Sequence, residues 1–130
     1  MQTLVRFARN ALVVLAPALA VTATPAHADY PDRPVTIIVA WTAGGATDLL
    51  TRGLQDAFQK ALGAQVVVKN VPGAAGTLGS AEVARAAPDG YTLVMGTVAT
   101  HTMNQHMYPN LGYKPEDFVP ISLTGMLPMV

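Results

Sequence analysis

The sequence predicts an α/β fold built on a parallel sheet, and two observations carry that prediction. Short β-branched or apolar runs at residues 35–39, 65–69 and 91–95 alternate with segments whose apolar residues recur at helical spacing. Strands alternating with helices imply parallel pairing through right-handed crossovers. The first run also feeds directly into Trp41-Thr42-Ala43-Gly44-Gly45-Ala46-Thr47-Asp48. A strand, a glycine turn and a helix start, in that order, gather unpaired N–H groups and the positive end of a helix dipole at one place.

Each element follows from its residues. Tyr30-Pro31-Asp32-Arg33-Pro34 is an extended lead-in, since each proline biases the residue before it away from helix. Val35-Thr36-Ile37-Ile38-Val39 is apolar on both faces, as a buried parallel strand should be. From Ala46 the period changes: Leu49, Leu50, Leu54, Ala57, Phe58, Ala61 and Leu62 lie at helical spacing, and Gly63 stands where a left-handed cap belongs. The unit then repeats as a strand over 65–69, a small-residue loop over 70–76 and a short helix over 77–87. Pro88-Asp89-Gly90 is a tight turn, residues 91–95 form the third strand, and residues 96–100 are its exit loop. Beyond lie a helical turn over 102–108, a surface loop over 109–115 and an expected fourth strand over 119–123.

The amino terminus reads as a secretory signal over residues 1–28. Arg6 and Arg9 give a positive start, residues 11–21 an apolar core, and Ala26-His27-Ala28 a small-residue cleavage site before Asp29. Thr22, Thr24, Pro25 and His27 interrupt the apolar run short of a membrane span. Cysteine is absent, which excludes a disulfide framework and a lipoprotein cysteine. Formal charge is balanced, with no Lys/Arg cluster outside the signal, so nucleic acid is excluded as a partner. The run from Ile121 to Val130 is apolar and uncapped, which predicts that the chain is a fragment of a longer one.

In open parallel sheets, ligands bind outside the carboxyl ends of the strands. The predicted site therefore comprises three exit loops: Thr42, Ala43, Gly44, Gly45, Ala46, Thr47 and Asp48; Pro72, Gly73, Ala74, Ala75, Gly76 and Thr77; and Thr97, Thr100 and His101. Backbone amides around Gly45 to Thr47 and Gly73 to Thr77 are the expected anion donors, supplemented by the hydroxyls of Thr42, Thr47 and Thr77. Asp48 would repel an anion at close range, so it is assigned to shaping the turn or to reaching a polar or cationic group. Trp41 either walls the pocket or fills the sheet edge, and Met103 and Met107 read as packing residues.

Rival chemistries lack their parts. Gly73, Gly76 and Gly79 are spaced G-x-x-G-x-x-G, and no G-K-[ST] follows either glycine loop, so a nucleotide site is not supported. No G-x-S-x-G, nucleophilic cysteine or H-E-x-x-H occurs, and His101 and His106 are poorly spaced for one metal. No enzyme, cofactor or metal is expected.

The ordered set Tyr30-Pro31-x-x-Pro34, Gly44-Gly45-Ala46-Thr47-Asp48, Asn70-x-Pro72-Gly73-Ala74-Ala75-Gly76, Ala87-Pro88-Asp89-Gly90-Tyr91-Thr92-Leu93 and Asp117-Phe118-x-Pro120-Ile121-Ser122-Leu123 resembles the substrate-binding proteins of tripartite tricarboxylate transporters, the Bug proteins. The resemblance implies a type II periplasmic-binding-protein-like fold, here incomplete. Residues 29–124 would form part of the first ligand-binding lobe, and residues 125–130 the start of a crossover to a second lobe. It further implies a monomeric periplasmic receptor that captures a small organic carboxylate and hands it to membrane permease subunits. The alternative is a truncated remnant, or a periplasmic interaction or signalling module, without transport activity. Thr42, where the family often carries Pro or Ala, adds a hydroxyl at the mouth, and Val71 stands where the family often has Arg.

Overall fold

The computed structural model describes residues 30–126. The expected signal, residues 1–28, lies outside the described residues, as do residues 127–130 of the expected crossover. The elements run β1 (Val35–Val39), α1 (Ala46–Leu62), β2 (Val66–Asn70), α2 (Thr77–Ala84), β3 (Thr92–Met95) and α3 (Asn104–Met107). The strands form one parallel sheet in the order β2-β1-β3. Val35 pairs with Val66 and Thr36 with Thr92, so β1 is central and all three strands point their carboxyl ends to the same edge.

Side-chain alternation along β1 separates two packed faces. Ile37 and Val39 join Val66 and Met95 in a cluster against which Trp41, Phe58, Leu62, Val68 and Leu93 pack, which places α1 over that face. Ile38 and Ala40 point the other way, and α2 approaches them so closely that a Cβ on Gly79 would stand 2.9 Å from the Cβ of Ala40. Burying both faces explains why β1 is apolar at every position but Thr36, each fully buried Val or Ile contributing roughly 1.5–3 kcal/mol.

Helix α1 keeps the predicted bounds and ends on Gly63, whose φ of 67° lets its N–H reach the carbonyl of Gln59. Its inward stripe differs from expectation. Leu49 is exposed, whereas Asp48 and Thr51 are buried. The stripe runs through Asp48, Thr51, Gln55, Phe58 and Leu62, and its amino half is polar because backbone groups there need partners. Thr51 Oγ1 donates to the carbonyl of Thr47 at 2.6 Å, and Gln55 Nε2 donates to that of Val66 at 2.8 Å.

The remaining elements differ at their ends. Helix α2 stops at Ala84, three residues short of the predicted end. A wide π-type turn over Ala99–Met103 runs into α3, so the helical segment starts earlier than expected. The expected fourth strand is a correction: residues 119–126 carry no strand, and Val119, Ile121 and Leu123 are 87%, 78% and 78% exposed. Pro120 removes a ladder donor, and the segment pairs with no strand among the described residues.

Candidate functional site

The first exit loop turns at Gly44, whose φ of 80° only glycine adopts readily. Gly45 donates to the carbonyl of Thr42 at 3.3 Å and then precedes α1 in extended conformation, with no side chain capping the helix. The N–H groups of Ala46 and Thr47 belong to the first helical turn, which has no intrahelical acceptor, and Leu49 makes the first bond back, to Gly45. The positive end of a helix seventeen residues long is thereby left uncapped at the carboxyl edge of the sheet. Thr42, Ala43, Gly44 and Ala46 are exposed around it, with Gly45 and Thr47 half-buried.

Asp48 does not face outward. It is 1% exposed, and its carboxylate accepts from the Gly44 N–H at 2.8 Å, Arg52 Nε at 3.0 and 3.1 Å and Asn70 Nδ2 at 2.9 Å. The Gly44 amide above all, then Arg52 and Asn70, hold its pKa down at about 2, against the opposing effect of burial. Asn70 also donates to the Trp41 carbonyl at 3.1 Å and accepts from Arg52 Nη2 at 2.9 Å. The end of β2 is thus tied to the exit of β1. Arg52 and Asn70 are the residues that sequence reasoning missed as part of the site. The i,i+4 spacing of Asp48 and Arg52 was the available signal.

In the second loop the backbone turns left-handed over an unbroken run: Gly73 at φ 133°, Ala74 at 46°, Ala75 at 54° and Gly76 at 84°. The alanines occupy a region that residues with a Cβ enter at a cost. Pro72, Gly73, Ala74 and Ala75 are exposed, while Gly76 and Thr77 are buried. Two of the expected donors are engaged internally, since Gly76 donates to Gly73 at 2.9 Å and Thr77 donates to Ala74. A Cβ on Gly76 would lie 2.7 Å from Thr100 Cγ2 and 3.4 Å from the Cβ of Ala40, so the second loop meets the third and the end of β1 at this point.

The third loop is closed by its own side chains. Thr100 is buried, and its Oγ1 accepts from the Thr97 N–H at 2.9 Å and stands 2.8 Å from His101 Nδ1. Thr97 and His101 are half-buried. The imidazole lies against Gly96, where a Cβ would come within 2.6 Å of Cε1, and tilts against Phe118 with centroids 4.7 Å apart. Burial lowers its pKa, which favours the neutral ring. Asn104, 2% exposed, donates to the carbonyl of Ala75 at 2.9 Å and fastens α3 to the second loop.

The structure therefore brings the three loops together, through Asn70 on one side and through Gly76, Thr100 and Asn104 on the other. The amides of Gly44, Gly45, Gly76, Thr77 and Thr97 are engaged internally, which leaves, among the expected donors, those of Ala46 and Thr47 in the first loop and of Gly73, Ala74 and Ala75 in the second without an internal bond. A separate concavity of about 650 Å³, lined by Gln105, Tyr108, Tyr113 and Lys114 among others, includes none of the predicted site residues. Among the described residues no cluster of His, Cys, Asp and Glu is arranged to hold a metal. None of their helices is long and apolar enough to cross a membrane.

Residues 50–130 match the family model described as tripartite tricarboxylate transporter family receptor. A UPF0065 protein of Agrobacterium vitis is 46% identical over 105 residues, covering 80% of this chain and 30% of the relative. Protein BugT of Bordetella pertussis is 41% identical over 111 residues, covering 83% and 34%. Among solved structures, MatC from Rhodopseudomonas palustris with bound malate superposes with a TM-score of 0.70 at 41% identity, covering 73% of this chain and 33% of that one. The chain spans about a third of the length of these proteins. It belongs to the tripartite tricarboxylate transporter receptor family, the family of the Bug proteins.

Proposed function

We propose that residues 29–124 form the first lobe of a periplasmic receptor that captures a small organic carboxylate and passes it to the membrane permease of a tripartite transporter. Residues 125–130 would then lead into a second lobe, and residues 1–28 would be the signal removed on export. The uncapped amino end of α1 at the joined carboxyl edge carries this reading, because neutral main-chain donors suit reversible capture of an anion. In this reading Thr42 and Thr47 supplement the amides of Ala46 and Thr47, and Pro72 to Ala75 wall the seat. Thr97 and His101 border it from the third loop. The buried Asp48, Gly76, Thr77 and Thr100 shape it from behind. The malate in MatC supports the ligand class. The receptor holds its ligand without altering it.

Thermal unfolding with millimolar malate, succinate or citrate tests the proposal. The full-length gene product should melt at higher temperature with at least one of them, as mass action requires for a ligand that binds only the folded state. The 130-residue chain alone should show no shift, since closure of a second lobe supplies the remaining contacts. A clear shift for the short chain, or none for the long one, would count against the two-lobed reading.

A further inference from the structure

A carboxylate within hydrogen-bond distance of the loop expected to seat an anion is a problem that the structure answers with one residue. Asp48 sits in the first turn of α1 and touches the Gly44 amide. The helix end contributes only about half a positive charge, so a bare carboxylate there would reverse the sign of the local potential. Arg52, one turn on, directs Nε at both oxygens of Asp48, at 3.0 and 3.1 Å, while its Nη2 is held by Asn70 Oδ1 at 2.9 Å. Asn70 is itself bonded to Asp48 and to the Trp41 carbonyl. The guanidinium is thus fixed beside the carboxylate from two elements, with Nε on Asp48 and Nη2 on Asn70 at once, two directed donors where lysine offers one nitrogen.

We propose that Arg52 is the charge-compensating residue of the seat, a positioning residue that cancels Asp48 so that the amino end of α1 presents positive potential to an anion. Asp48 and Asn70 supply the bonds that hold the loop, and Arg52 makes that carboxylate compatible with an anionic neighbour. The inference rests on the carboxylate-receptor reading.

The test is calorimetric titration of the full-length gene product with malate, succinate and citrate as probes. Arg52→Gln should weaken whichever probe binds by about tenfold or more, the order expected of an uncompensated charge several ångströms away. Arg52→Lys should lose less. Asp48→Asn combined with Arg52→Gln should return affinity to within about threefold of the original, because removing both charges restores the balance. A role in holding the fold alone predicts that the double variant binds no better than Arg52→Gln, and that result would overturn the proposal. NMR titration of the Asp48 carboxyl supplies a readout that needs no ligand. It should titrate at higher pH in Arg52→Gln than in the original, and equal values would also overturn the proposal. If none of the probes binds the original protein while Asp48 responds as expected, the receptor reading fails and the charge pairing stands.

Discussion

The two edges of the sheet solve opposite problems. At the amino edge the lead-in is fastened by large side chains: Tyr91 donates to Asp32 Oδ1 at 2.6 Å and accepts its N–H at 2.9 Å, and Tyr30 donates to the Gly90 carbonyl at 2.8 Å. Arg33 pairs with Asp89 at 2.7 Å and lies 4.1 Å over the Tyr91 ring. At the carboxyl edge the loop tips are glycines, alanines in left-handed conformation and short polar side chains, with the larger Arg52 and His101 set beside them. Bulky groups at the first edge secure the chain directly, while small residues at the loop tips of the second leave several main-chain amides without an internal partner. The difference shows where tolerance to substitution should lie.

The sharpest break of that contrast is Gly79→Ala. The added Cβ would stand 2.8 Å from the Val71 carbonyl and 2.9 Å from the Cβ of Ala40, neither of which can swing aside. Overpacking costs up to about 3 kcal/mol, against a helix-propensity gain of about 1. The variant should therefore lose about 2 kcal/mol in urea denaturation. An intermediate effect should appear in acid. Asp48 is held at about 2, below its ordinary value, so its contribution to stability is present above the unfolded-state pKa and is lost as pH falls toward 2. Asp48→Asn should flatten the fall in melting temperature between roughly pH 4 and 2, and an unchanged acid limb would detach Asp48 from the edge's stability. The smallest effect belongs to the amino edge. Arg33→Ala removes a solvent-exposed pair and a cation–π contact, so it should cost at most about 1 kcal/mol. It should leave carboxylate affinity unchanged, and a loss of affinity would dissolve the division between the edges.

Much of this architecture is written locally. The β-branched run of β1, the helical period of α1 and the stop at Gly63 depend on neighbours in sequence, and they appear where pattern and propensity place them. What could not be read depends on groups that meet only after folding. Leu49 satisfies the helical period yet faces solvent, because the stripe beneath it is claimed by Asp48 and Thr51. Asn70 reads as the end of a strand, and its role exists only because parallel register sets it opposite Val39 at the exit of β1. Residues 119–123 have strand-like composition but join no ladder among the described residues. Of the candidate site, the three exit loops and their place at the carboxyl ends of the strands were legible, whereas the left-handed alanines of the second were not. That Asp48 shapes the turn was legible too, but its tie to Asn70 and the inward turn of Thr100 were not, since the first needs a donor distant in sequence and the second the shape of its own loop.

The central place of β1 also sets an order of events. Its first partner begins at Val66 and its second at Thr92, so the earliest-made strand waits for both later ones. A chain emerging amino end first would carry this sticky segment without its second partner until Met95 had been made, and slow, non-local pairing of this kind invites aggregation in the interval. Chaperone dependence during biogenesis would follow from strand order alone.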